Sequence, residues 1–78
     1  MNRRELSTAL TDAGLPPDSF RIEGVHETDP VPTDFWFLRD SDNGWEVGSF
    51  ERGTFDVRAR FDTESAAADW MLSTLTGR

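Results

Sequence analysis

The side chains able to do chemistry are few, and their spacing is poor for it. His26-Glu27-Thr28-Asp29 offers an imidazole and two carboxylates within four residues, a combination that could ligate a cation. It lacks the ordered spacing of known sites, and no cysteine or second histidine exists to complete a ligand set. The same histidine could serve as a general base oriented by Asp29, but no nucleophile stands at a readable distance along the chain. A solvated loop histidine is the alternative reading. Ser41, Ser49 and Ser65 fall in turn, strand and helix-start contexts that account for them without catalysis. Asp40-Ser41-Asp42-Asn43-Gly44 looks like the opening of a calcium loop, yet its glycine arrives too early, before the further oxygen residue that the motif needs. The six glycines form neither a dinucleotide fingerprint nor a phosphate loop. No carboxylate pair stands out as an acid/base couple. The expectation is a non-enzymatic protein with no cofactor and no metal.

Composition narrows the remaining classes. Seventy-eight residues make one domain, 1–78, near the lower limit for a self-sufficient core. Without cysteine there is no disulfide to staple it, so six Phe and three Trp must supply the burial. Fifteen carboxylates against eight basic residues give a net charge of −7, which opposes phosphate-backbone binding and favours either solubility or a basic partner. No apolar segment is long enough to span a bilayer. Met1-Asn2-Arg3-Arg4 is followed by Glu5 and Ser7 rather than by the apolar run of a secretory signal. With the missing cysteines, this sets the expectation of a cytoplasmic protein.

Hydrophobic spacing predicts the elements that position these residues. Leu6, Ala9, Leu10 and Ala13 form one stripe of a helix over 3–13, capped by Asn2 with Glu5 completing a capping box. Gly14 suits the left-handed position after it, and Pro16-Pro17 forbid continuation. Phe20–Glu23 alternates as a first strand. Residues 24–33, with Pro30 and Pro32, form a long connection that is either functional or a crossing loop over one end of the sheet. Phe35–Leu38, Trp45–Phe50 and the alternating Phe55, Val57, Ala59 and Phe61 read as a three-stranded meander. A five-residue connection, Asp40–Gly44, joins the first pair, and a three-residue loop, Glu51-Arg52-Gly53, joins the second. A closing helix covers about 63–76, capped by Asp62 or Thr63 and fraying over Thr76-Gly77-Arg78. The class is α+β, in the order α-β-β-β-β-α, with an antiparallel meander sheet and two helices packed on one face.

Alternation then divides the sheet. Phe35, Phe37, Trp45, Val47, Ser49, Phe55, Val57, Ala59 and Phe61 are expected to face the helices. That leaves Trp36, Leu38, Glu46, Gly48, Phe50, Asp56, Arg58 and Arg60 outside, an aromatic and charged mixture typical of protein interfaces. Covering by the long loop or plain exposure are the alternatives, and a one-residue slip would exchange the faces. Trp36, Glu46, Phe50, Glu51, Arg52, Asp56 and Arg58 are the expected partner contacts.

Trp45-Glu46-Val47, Glu51-Arg52-Gly53, Phe61 and Glu64-x-x-Ala67-x-x-Trp70, together with Arg3-Arg4-Glu5-Leu6 and Gly14-Leu15-Pro16…Phe20, resemble a pattern found in small acidic bacterial proteins. These are similar to the immunity proteins of polymorphic toxin systems. The resemblance implies a protein that binds and blocks a toxin domain, and it assigns no individual functional residue; the acidic charge adds the expectation that the toxin domain is basic. A DNA-mimicking inhibitor and a homodimeric interaction domain are the other function classes considered; the mimic needs a regular row of carboxylates, which Arg58 and Arg60 interrupt.

Overall fold

The computed structural model describes residues Met1–Gly77 and has the expected element order. Helix α1 spans Arg3–Asp12, a single 3-10 turn covers Pro17–Ser19, and strands β1 (Phe20–Ile22), β2 (Asp34–Ser41), β3 (Gly44–Glu51) and β4 (Thr54–Phe61) precede helix α2 (Glu64–Thr76). Local chemistry sets the helix ends. The Asn2 side chain accepts from Glu5 N at 2.8 Å while Glu5 Oε1 accepts from Asn2 N at 2.9 Å, so two otherwise orphaned donors are satisfied reciprocally. At the other end Gly14 N donates to Thr11 O and Leu15 N to Leu10 O, the paired bonds of a Schellman motif, with Gly14 at φ 89°. Thr63, one of the two expected caps, starts α2, and Gly77 at φ 73° closes it. The expected fraying at Arg78 lies outside the described residues.

The sheet runs β1-β2-β3-β4 in space. β2, β3 and β4 form the expected antiparallel meander, whereas β1 lies parallel to β2, so the sheet is mixed. The β1–β2 connection folds back beside β1, where Ile22 pairs with His26 in an isolated antiparallel bridge. His26 is thus a half-buried residue of the connection, held by its neighbours. Its ring stacks on Phe20 at 4.3 Å and its Nε2 donates to Pro17 O at 2.8 Å.

Both hairpin loops differ from expectation. Ser41 pairs with Gly44, leaving Asp42-Asn43 as the loop, and Gly44 alone has positive φ there, at 105°; this fits a type I turn followed by a left-handed glycine. Glu51 pairs with Thr54, so Arg52-Gly53 is a two-residue loop with both residues at positive φ, 50° and 83°, as a type I′ turn requires.

Leu6 and Leu10 of α1 and Ala67, Ala68 and Met71 of α2 pack on Phe20, Ile22, Leu38 and Val47 to form the core. Both helices thus cover one sheet face, as expected. Among the described residues no helix is long and apolar enough to cross a membrane.

Candidate functional site

Register decides what the helices leave uncovered. Leu38 pairs with Val47 and Trp36 with Ser49, so Trp36 and Leu38 share the helix face with Trp45 and Val47, contrary to the expected assignment. Phe35 and Phe37 point the other way. The fault is the one-residue slip to which a period of two is vulnerable.

β4 divides for a different reason. Val47 pairs with Ala59 but Gly48 pairs with Val57, so Arg58 is an extra residue in a β-bulge. Ala59 and Phe61 stay with the helices as expected, while Phe55 and Val57 turn to the opposite face. The bulge also brings Asp56 and Arg58 to the helix side, where their side chains pair at 2.8 Å and the Arg58 guanidinium lies 6.0 Å from the Trp36 ring. The seven expected contacts are consequently not one surface. Glu46 and Phe50 occupy the helix-free face, Trp36, Asp56 and Arg58 the rim of the other, and Glu51 and Arg52 the β3–β4 turn.

The helix-free face instead gathers four of the six phenylalanines into a continuous cluster. Phe35 stacks on Phe50 at 4.8 Å, Phe50 meets Phe55 edge-on at 4.6 Å, and Phe55 meets Phe37 edge-on at 5.2 Å. These separations lie in the favourable aromatic range. Phe37 is sealed at 2% exposure because its ring lies over Gly48, where an added Cβ would come within 2.9 Å of Phe37 Cζ and closer still to Asp56 O. Phe55 is 47% exposed; among the described residues it and Val31 are the large apolar side chains most open to solvent.

Charge borders this apolar floor. The Arg39 guanidinium lies over both Phe37 and Phe55, 4.9 and 4.8 Å from the ring centres. Arg39 Nε donates to Glu46 Oε1 at 2.8 Å and Arg60 Nε donates to Glu46 Oε2 at 2.9 Å. Glu46 is only 5% exposed, and the Arg39 hydrogen bond, followed by that of Arg60, holds its pKa below the usual carboxylate range against the opposing effect of burial. Beyond Phe37, Arg21 pairs with Glu27 at 2.7 Å, and this bond with the Gly24 N–H lowers the Glu27 pKa. Between the two ion pairs lies a cleft of about 170 Å³ lined by Arg21, Glu23, Glu27, Phe37, Arg39 and Phe55.

Other candidates dissolve on inspection. A cleft of about 490 Å³ between α1 and α2 is lined by Ala9, Ala13, Leu72 and Thr76 with Asp12 and Asp69, and Asp69 is already engaged by the Met1 ammonium at 3.1 Å. Asp40–Gly44 is the end of the β2–β3 hairpin, with Ser41 Oγ donating to Gly44 O at 3.0 Å. His26 is tied to Pro17 rather than to Asp29. Among the described residues no three His, Asp or Glu side chains converge as a metal ion would need. No protein-family model, curated protein or solved structure matches the chain.

Phe35, Phe37, Phe55, Arg21 and Arg39 are site residues that sequence reasoning missed. The signal was present in the turn: taking Asp42-Asn43 as the loop sets Phe35 against Phe50 and Arg39 against Glu46.

Proposed function

We propose that this protein is a non-enzymatic binding module that docks another protein on its helix-free sheet face and blocks it sterically, in the manner of an immunity protein. The observation that carries this reading is the four-phenylalanine cluster, with Phe55 47% exposed under a guanidinium. A chain of this size gains most by burying its large aromatics in its main core; placing them opposite the helices is consistent with a second, intermolecular use. Aromatic and arginine side chains together are also the composition of interface hot spots. The net charge of −7 would speed encounter with a basic target, such as a nucleic-acid-cleaving toxin domain.

The same face supports the competing readings less well. Arg21, Arg39 and Arg60 interrupt any row of carboxylates that could imitate phosphates. A twofold dimer would bring together two copies of a chain of net charge −7, which opposes self-association.

The test is affinity capture from the native host with wild-type protein and Phe55→Asp side by side, followed by an activity assay of the captured protein. A partner held and inhibited by the wild type and released by the variant is the expected result. Identical captures by both proteins, or none by the wild type, would refute the reading.

A further inference from the structure

Glu46 was an expected contact residue, yet its geometry leaves it nothing to offer a partner. Each of its oxygens already accepts from an arginine Nε, at 2.8 and 2.9 Å, and its side chain is almost wholly covered. The arginines are in the opposite condition. Arg39 and Arg60 each engage Glu46 through Nε, so their terminal Nη groups make no other hydrogen bond among the described residues. A guanidinium offers five N–H donors in a fixed fork. Two such forks therefore stand side by side on the docking face, held from beneath by one carboxylate and, for Arg39, by the rings of Phe37 and Phe55.

We propose that Arg39 and Arg60 receive a carboxylate that the partner protein carries next to an apolar side chain seated on Phe55. This rests on the docking role of the face argued above and adds the chemistry of what docks. Three physical facts support it. Arg39 and Arg60 share one carboxylate, so this triad carries one net positive charge, with Glu23 and Glu27 lining the cleft beside it. The forks are oriented before binding, which lowers the entropy cost of a paired hydrogen bond. Phe55 lies directly against Arg39, so a carboxylate and an apolar group one residue apart on the partner can be satisfied together. The overall charge of −7 repels a uniformly acidic surface; the acidic side chain is thus a single feature on an otherwise basic or neutral partner. Glu46 is a positioning residue in this arrangement, not a contact.

The experiment titrates ¹⁵N-labelled protein with 3-phenylpropionate, its neutral amide and 3-phenylpropylamine, following the Arg Nε–H and β2–β4 backbone resonances. The carboxylate should bind roughly fivefold more tightly than the amide and move the Arg39 and Arg60 Nε–H signals. Arg60→Gln should retain the wild-type helical spectrum and bind acid and amide about equally. Phe55→Ala should weaken all three probes. Equal binding of acid and amide on this face would overturn the carboxylate assignment while leaving the docking face intact. Tightest binding of the amine would also overturn it. No perturbation of the face by any probe would overturn the carboxylate assignment, while the docking role is decided by the capture experiment above.

Discussion

Gly48 shows how much one side chain decides. Its missing Cβ lets Phe37 lie flat on β3 beside the bulge, and any larger residue meets Phe37 Cζ at 2.9 Å and the Asp56 carbonyl closer still. Gly48→Ala should therefore cost about 3 kcal/mol, as an overpacked site without room to relax does. Urea denaturation measures it, and a loss below about 1 kcal/mol would contradict the described register. Glu46 makes a second prediction. Its pKa is lowered in the folded state, so its stabilising contribution is complete above the ordinary glutamate value of about 4.3 and is lost as pH falls through the lower folded value. Glu46→Ala should cost about 2 kcal/mol at neutral pH and flatten the acid limb of the stability profile. An unchanged acid limb would show that the Arg39–Glu46–Arg60 group contributes nothing.

Elements were legible where local chemistry alone fixed them. The capping box at Asn2, the left-handed Gly14 and the Thr63 cap are each written in two or three adjacent residues, and all three formed as read. Faces were less legible because they depend on pairing across a turn. Asp40-Ser41-Asp42-Asn43-Gly44 can be read as a five-residue connection or cut to a shorter loop, and the choice exchanges Trp36 with Phe37. Arg58 is harder still: the unbroken alternation Phe55, Val57, Ala59, Phe61 hides a bulge that only the partner strand, with Gly48, reveals. That bulge, with Asp56, Arg58 and Arg60 on the free edge of β4, also discourages edge-to-edge pairing with another chain. The β3–β4 turn carries a prediction of its own. Arg52 sits at φ 50°, where asparagine or glycine is favoured. Arg52→Asn should thus stabilise the protein by about 0.5–1 kcal/mol in thermal unfolding; destabilisation would mean that the arginine side chain makes contacts worth more than its backbone strain.

At the scale of the whole molecule, one layer of helices and one sheet produce two unlike surfaces. The helix side and its rims carry most of the acidic charge, while the sheet face opposite presents rings and guanidiniums. Long-range field and local contact chemistry then act at different stages of association, the first on encounter and the second on residence. Raising salt should slow association with a basic partner and leave dissociation nearly unchanged, a pattern that stopped-flow or surface-based kinetics resolves. Static light scattering across concentrations should report a monomer, because two copies of a chain of net charge −7 repel one another. The most direct measurement is the dissociation constant of the captured partner for wild type and Phe55→Ala, with thermal unfolding of both proteins alongside. A hot-spot ring half open to solvent predicts at least tenfold weaker binding, roughly 1.4 kcal/mol, at nearly constant stability. An unchanged dissociation constant with the partner still bound would place docking elsewhere on the molecule.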